Sequence, residues 1–469
     1  MRTPVAPADA AWLRMDEATN PMVVTGVIVF DGPVSRRRLR RLIDTRLVRF
    51  PRFTERLVEP PRGVGVPFWE PDETFSVDHH LFTARLPAPA DEAALQAFVG
   101  RLMTQPFDRA RPLWQFHLVP RFQGGTALIG RFHHCIADGL ALIYVMLSMA
   151  DHGPVPPEPV VDDTEREERA FWEAVAATMG HTAAAAMQLP IHALREVSAL
   201  LERPDRLAAL TGRVSAGLGS FGKLLLLPPD APTPLKGPLG GEKRVAWSRP
   251  LDLDDFKRVG RLTGSTVNDI LMAAVGGALR RYLLERGEVD AALEVRGVIP
   301  VNLRPPEAAH ELGNRFGLAF LGLPLGQGEP LDRLFETRRR MMAIKNTPEA
   351  LVTFQILRAL GLAPRHVFDL VVDLFGAKAT AVVTNVIGPR APVTMAGVPM
   401  RQCMFWVPSA GRLGLGVSLL SYAGRVHVGV QSDAGLVPDP DRIVAGFVAE
   451  LEALLALERE VAADAPGAA

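Results

Sequence analysis

A segment rich in proline and glycine, residues 228–241, divides the chain and limits what it can fold into. Its five prolines and three glycines are typical of a linker, because these residues interrupt regular helices and strands. The whole chain has 469 residues, enough for two domains. We therefore predict an α/β fold with two sandwich domains, residues 1–205 and 243–469, joined by a helical and Pro/Gly-rich linker, residues 206–242.

Predicted helices and strands lie on both sides of the linker. In the first part we predict strands at Val23–Phe30, Leu113–Pro120 and Thr126–Phe132 and a helix at Glu92–Met103. Residues 170–227, rich in alanine and leucine, predict further helices. In the second part the predicted helices are Leu253–Leu262, Ile270–Arg286, Pro348–Phe375 with a break at Pro364, and Pro440–Glu460. The strands predicted there are Val295–Val301, Val382–Val386, Leu413–Leu420 and Val426–Gln431.

Composition excludes some classes of protein. Lys and Arg number 52, as do Asp and Glu, so there is no basic excess and we expect no nucleic-acid partner. The two cysteines, Cys135 and Cys403, cannot form a disulfide framework, which favours a reducing compartment. The first residues lack the apolar stretch of a signal peptide, and no uncharged apolar run is long enough for a transmembrane helix. We expect a cytoplasmic protein.

The sequence His133-His134-Cys135-Ile136-Ala137-Asp138-Gly139 has the pattern HHxxxDG and lies between two apolar runs. An imidazole has an ordinary pKa near neutrality, so one of these histidines is a candidate general base toward a hydroxyl or thiol. Asp138 suits a structural role, such as pairing with an arginine. Gly139 is expected to permit a backbone conformation or a close approach that a side chain would block.

The motif has two other interpretations besides base chemistry. Adjacent histidines point apart in a strand and no Cys/His cluster lies nearby, so we expect no metal. A loop in which the histidines only form hydrogen bonds would be the ordinary interpretation of a lone His. The full pattern between two apolar segments favours base chemistry instead. The chain has no GxSxG pattern, so a covalent acyl-enzyme is not expected, and Cys135 should pack as a small apolar side chain.

HHxxxDG is the signature of the CoA-dependent acyltransferase superfamily, and further motifs resemble one branch, the bacterial wax ester synthase/acyl-CoA:diacylglycerol acyltransferase family. Pro112-Leu113-Trp114 is similar to its PLW motif, followed here by Gln115 where an acidic residue is common. Asn268-Asp269 resembles its ND motif. Residues 384–389, Thr-Asn-Val-Ile-Gly-Pro, resemble its SNVPGP motif. With weaker similarities from Trp12 onward, the resemblance covers about residues 12–390.

The resemblance implies two domains like chloramphenicol acetyltransferase, with an active site in a tunnel between them. It implies that His134 is the general base, that His133 supports it, and that Asp138 is mainly structural. His134 would deprotonate an acceptor hydroxyl, and the alkoxide would attack the thioester of acyl-CoA directly. Acyl-CoA is then a co-substrate, and no other cofactor is expected.

Each of the other candidate residues has two interpretations. Thr384 and Asn385 are candidate donors to the oxyanion, or form a turn before Gly-Pro. Asn268 and Asp269 organise the site, or Thr266 and Asn268 simply cap the helix that follows. Arg304 either faces the CoA phosphates or holds a carboxylate such as Asp138.

The implied acceptors are a long-chain alcohol, giving a wax ester, or diacylglycerol, giving triacylglycerol. Contact with the inner membrane or lipid droplets would suit such substrates; residues 351–375 and 224–227 are apolar candidates for it, or belong to the core. The alternative functions are acyl transfer to another hydroxyl or amine, of the condensation-domain or antibiotic-acylating type, and non-catalytic lipid binding.

Overall fold

The computed structural model describes residues 2–60, 65–152, 224, 227–305, 311–409 and 411–464, with side chains up to residue 459. The helices predicted within residues 170–227, the apolar run 224–227 and the domain boundary predicted at residue 205 lie largely or wholly outside these ranges. No helix in the described ranges is long and apolar enough to cross a membrane.

The described strands belong to two large sheets and one small sheet. In chain order they are β1 Thr3–Pro4, β2 Val23–Phe30, β3 Glu55–Val58, β4 Phe68–Pro71, β5 Leu81–Thr83, β6 Trp114–Phe122, β7 Gly125–His133, β8 Lys243–Trp247, β9 Leu251–Asp252, β10 Val295–Asn302, β11 Phe316–Leu323, β12 Ala381–Ile387, β13 Thr394–Met395, β14 Val398–Trp406, β15 Leu415–Tyr422 and β16 Arg425–Asp433. The first sheet has the order β13-β14-β2-β7-β6-β5, and the second β11-β10-β12-β15-β16-β8 with β9 beside β16. The small sheet is β1-β4-β3.

The described α-helices cover the faces of these sheets. They are α1 Pro7–Met15, α2 Arg36–Thr45, α3 Glu92–Met103, α4 Gly139–Ser148, α5 Leu253–Thr263, α6 Val267–Leu284, α7 Pro330–Lys345, α8 Glu349–Leu362, α9 Arg365–Ala377 and α10 Pro440–Asp464. β2 and α3 have the predicted bounds, and the predicted helix 348–375 is interrupted at Pro364 as expected. The mixed α/β architecture with two sheet-containing halves is confirmed.

A strand from the second half of the chain belongs to the first sheet, which the sequence did not predict. After β12 in the second sheet, the chain returns to the first sheet, where β14 pairs antiparallel with β2. Residues 398–406 contain a proline and no clean alternation of apolar and polar residues, so they give a weak strand signal. The first sheet therefore contains strands from both sides of the predicted linker, and the halves are joined by backbone hydrogen bonds.

The N-terminal helix α1 also joins the halves. It packs on α8, where a Cβ at Gly361 would lie 1.8 Å from the Pro7 carbonyl oxygen, so only glycine allows this approach. Nη1 of Arg14 donates to the carbonyl oxygens of Leu360 and Ala363 at 3.0 and 2.6 Å. This packing fixes α1 against the second half while its other contacts reach the HHxxxDG turn of the first.

Candidate active site at the HHxxxDG turn

The HHxxxDG residues form the turn between β7 and α4, at the end of a fully buried strand. Asp138 is the N-cap of α4, and one carboxylate oxygen accepts from the Ala141 N–H at 2.9 Å. Gly139 is the first residue of the helix, its φ is not positive, and a Cβ would meet no described atom within 4 Å. Neither a positive φ nor a nearby atom of the described residues accounts for a glycine here, so the role predicted for Gly139 stays a prediction.

His134 lies in an aromatic enclosure. Its ring stacks on Trp12, with ring centroids 4.2 Å apart and planes at 16°, and Phe316 lies 5.7 Å away. Burial lowers the pKa of His134 to about 4, against the opposing effect of the Asp138 carboxylate. Nδ1 is sealed from solvent and has no hydrogen-bond partner among the described residues. The ring is thus neutral at physiological pH and able to accept a proton.

The two ring nitrogens of His133 face the protein. Nδ1 accepts from the Cys135 N–H at 3.1 Å, so the neutral ring carries its proton on Nε2. Nε2 lies 3.6 Å from a carboxylate oxygen of Asp16. Burial raises the pKa of Asp16, but His133, the Met22 N–H and Arg109 together lower it further, to about 2. His133 is therefore held through Nδ1, while Nε2 is buried beside Asp16 without a hydrogen bond to a described residue.

Asp138 ties the turn to the second half of the molecule. Nη1 of Arg304 donates to it at 2.9 Å in a buried ion pair, and the Arg315 N–H donates to its other oxygen at 3.0 Å. Nη2 of Arg304 also donates to the Gly313 carbonyl at 2.8 Å. Of the two interpretations of Arg304, the structure shows the internal ion pair. Losing one partner would leave a buried charge unpaired, which is costly.

Asn314 holds the backbone of His134. Its Nδ2 donates to the His134 carbonyl at 2.7 Å and to Asp9 Oδ1 at 2.9 Å, and its backbone N–H donates to the same Asp9 oxygen at 2.8 Å. Burial raises the pKa of Asp9 to about 6, despite the Asn314 hydrogen bonds and the charge of Arg52. The turn is thus held by residues of α1 and of the loop before β11.

The ND and Thr-Asn motifs meet each other. Asn385 Nδ2 donates to Asn268 Oδ1 at 3.0 Å, so β12 and the start of α6 are joined by side chains. Asp269 instead forms a capping box with Thr266, accepting from its N–H at 2.9 Å. Thr384 is buried in β12, opposite Ser418 of β15. The Asn268–Asn385 pair lies at the same end of the second sheet as Phe316, which contacts His134.

Several residues that position the histidines were missed from sequence. Asp9, Asp16 and Asn314 were not predicted as site residues, although the resemblance to the family extends from Trp12 onward. The available signal was an acidic residue, Asp9, between Ala8 and Ala10 in a largely apolar segment. Cys135 packs as expected: it is fully buried, and burial raises the pKa of its thiol.

Comparison with family models shows which family the chain belongs to. Residues 5–271 match the wax ester synthase/diacylglycerol acyltransferase catalytic domain, and residues 312–455 match the C-terminal domain of the same family. The chain belongs to the wax ester synthase/diacylglycerol acyltransferase (WS/DGAT) family. The resemblance found from motifs is thereby confirmed, and the chain is an acyltransferase of this family.

Relatives and solved structures agree with this assignment. A probable diacylglycerol O-acyltransferase of Mycobacterium tuberculosis is 26% identical over 464 residues, covering 96% of this chain and 95% of its own. A second from the same organism is 27% identical and covers 95% of this chain and 89% of its own.

Solved structures show the fold. The WS/DGAT enzyme of Marinobacter aquaeolei VT8 has a TM-score of 0.66 and 21% identity, covering 97% of this chain and 100% of its own. The first condensation domain of the calcium-dependent antibiotic synthetase has a TM-score of 0.58 and 18% identity, covering 99% and 97%. The predicted fold class, like that of chloramphenicol acetyltransferase, is confirmed.

Proposed function

We propose that this WS/DGAT protein transfers a long-chain acyl group from acyl-CoA to the hydroxyl of a fatty alcohol or a diacylglycerol, with His134 as general base. The observation that carries the proposal is the state of His134: a neutral, desolvated imidazole stacked on Trp12, with its carbonyl held by Asn314. A neutral imidazole held in one orientation is what a proton-accepting base requires.

The neighbouring groups support this division of roles. His133 has Nδ1 bound to a backbone N–H and Nε2 facing Asp16, which leaves His134 as the histidine of the pair that is free to react. Because His134 Nδ1 is sealed, the small exposure that the residue retains, 4%, lies elsewhere on it. We assign Nε2 as the basic nitrogen.

The proposed step is a direct transfer. His134 takes the proton of the acceptor hydroxyl as its oxygen bonds to the thioester carbonyl carbon, giving a tetrahedral oxyanion. This intermediate collapses with cleavage of the carbon–sulfur bond, and the CoA thiolate receives the proton from the imidazolium. Ester and free CoA are the products, and no covalent bond to the protein forms.

The oxyanion needs hydrogen-bond donors, each worth roughly 3 kcal/mol. We propose the Asn268–Asn385 pair as the source, since it lies at the sheet end nearest Phe316 and Asn385 retains a second amide hydrogen beyond the one given to Asn268. Thr384 and Asp269 then have supporting roles, in β12 and in the helix cap respectively.

Turnover of palmitoyl-CoA with hexadecanol, diolein and short polar alcohols tests the proposal, with released thiol measured. We expect ester from the long-chain acceptors and loss of nearly all turnover in His134→Ala. His427→Ala is the matched control, because His427 is also buried with its pKa lowered to about 4 but lies in β16 of the second sheet.

Two outcomes would contradict the proposal. Full turnover by His134→Ala would exclude this base, and ester formed from short polar alcohols alone would exclude the lipid acceptors. The second outcome would favour the alternative function, acyl transfer to another hydroxyl or amine.

A further inference from the structure

The helix α1 presents acidic and aromatic side chains to both histidines. Asp9, Trp12 and Asp16 are spaced by three and four residues, so they lie on one side of the helix and its C-cap. Trp12 stacks on the ring of His134, and Asp16 faces the ring of His133. Asp9 touches neither ring, and its role is therefore indirect.

Asp9 reaches His134 through Asn314. Asp9 Oδ1 accepts both hydrogen bonds that fix Asn314, one from its backbone and one from its side chain. The same Asn314 amide donates to the His134 carbonyl. Without an acceptor at residue 9, two buried donors would be unsatisfied and the Asn314 amide could rotate.

The local backbone is shaped for this contact. Gly313 has φ +95°, which L side chains rarely adopt, and a Cβ there would lie 3.2 Å from Asp9 Oδ2, so glycine favours this close approach of the loop to Asp9. Gly313 also exchanges backbone hydrogen bonds with Ile136 and Asp138 of the turn. Arg52 lies 3.9 Å from Asp9 Oδ2, and this charge helps an anionic carboxylate remain in a buried place.

We propose that Asp9 is a positioning residue for His134: by holding Asn314, it fixes the backbone of the general base while Trp12, from the same helix, fixes the ring. This proposal rests on the proposed function of His134. A misplacement of about 1 Å can reduce a rate by about 100-fold, so the arrangement matters for turnover as well as for stability.

Four variants test the connection: Asp9→Leu, Asp9→Asn, Asn314→Ala, and the double variant Asp9→Leu/Asn314→Ala. We expect Asp9→Leu and Asn314→Ala each to lower kcat by about 10- to 100-fold while KM for palmitoyl-CoA is unchanged, because geometry and not binding is lost. Asp9→Asn should keep most of kcat, since an amide oxygen can accept the same two hydrogen bonds. The double variant should be no slower than the slower single variant.

A residue with a structural role alone should affect the thermal midpoint and not kcat. Glu450→Gln serves as control, because Glu450 is equally buried and paired with Arg333 in the second half, away from the turn. It should lower the thermal midpoint and leave kcat unchanged when measured well below that midpoint. If Asp9→Leu does not fold, Asn314→Ala carries the same prediction.

Wild-type kcat in Asn314→Ala, additive losses in the double variant, or equal losses in Asp9→Leu and Asp9→Asn would each overturn the proposal. Its failure is distinguishable from failure of the base assignment. If His134→Ala abolishes turnover and Asn314→Ala does not, only the positioning role is wrong.

Discussion

The indole of Trp12 lies flat on the imidazole of His134, with ring centroids 4.2 Å apart. Trp12 comes from the first helix and His134 from the turn after the seventh strand, so the contact exists only in the folded protein. It removes one face of the imidazole from water, and burial is the main cause of the lowered pKa of His134. The Trp12–His134 stack is thus part of the burial that keeps the candidate base neutral.

Opening this stack should change the pH dependence of turnover. In the wild type we expect the acidic limb of kcat/KM near pH 4, because the pKa of His134 is about 4. In Trp12→Leu, water at the ring should move the limb toward 6.5 and lower kcat/KM at pH 7 by about 10-fold. Trp12→Phe, which keeps an aromatic face, should stay close to the wild type. A limb that remains in place in Trp12→Leu would show that burial by Trp12 does not govern the pKa.

Breaking the buried ion pair of Asp138 should strongly destabilise the fold. Arg304→Met leaves the Asp138 carboxylate in a buried place with one strong donor missing, so we expect the free energy of unfolding to fall by about 3–5 kcal/mol. Urea unfolding followed by circular dichroism measures this. The control is Arg442→Met, which breaks an exposed pair with Glu285 and should lower the free energy of unfolding far less, because water and salt screen an exposed pair. Equal effects of the two changes would contradict the structural role of Arg304.

Gln115→Glu should stabilise the protein. Arg131 is fully buried, burial lowers its pKa to about 10, and its Nη1 donates to Gln115 Oε1 at 2.7 Å. Among the described residues it has no carboxylate within ion-pair distance. A glutamate would supply one, and we expect a gain of about 1 kcal/mol at pH 7 in urea unfolding.

The gain should depend on pH in a defined direction. The new carboxylate is expected to have a lower pKa in the folded state, so its stabilisation is present above pH 4–5 and is lost as the pH falls. Gln115→Leu, which removes the acceptor, should instead destabilise. A gain that persists at pH 3 would show that charge is not its cause.

Asp9 should make stability fall as the pH rises from about 4 to 6. Its pKa is raised from 3.8 to about 6 on folding, so the folded state binds this proton more tightly than the unfolded state. The resulting stabilisation is present below about pH 4 and is lost as the pH rises through 6. Asp16, whose pKa is lowered to about 2, acts in the opposite direction at lower pH, adding stability as the pH rises from about 2 to 4. Burial lowers the pKa of His134 and His427 to about 4, which makes stability rise over the same pH range, so the effect of Asp9 is measured as a difference. Unfolding free energies from pH 4 to 7 should rise more steeply in Asp9→Asn than in the wild type. Parallel slopes in the two proteins would contradict the raised pKa.

Much of the local structure could be predicted from sequence because it depends on short-range patterns. The apolar run before His133 predicts β7, a run rich in β-branched residues predicts β2, and helical periodicity predicts α3 and α10. β14 was missed because strand formation there depends on a partner strand from the far end of the chain, β2, and its own sequence shows little alternation.

The sequence by itself determined the family, the mixed α/β class and the histidine pair, because HHxxxDG, PLW and ND are contiguous motifs with their own order along the chain. It could not assign partners to those residues, since hydrogen bonds and stacking depend on which distant segments meet. Only the tertiary structure decided that Arg304 pairs with Asp138 and that Trp12 covers His134. The physical reason is that burial and charge pairing are properties of the packed site, and these set the protonation state and orientation of His134.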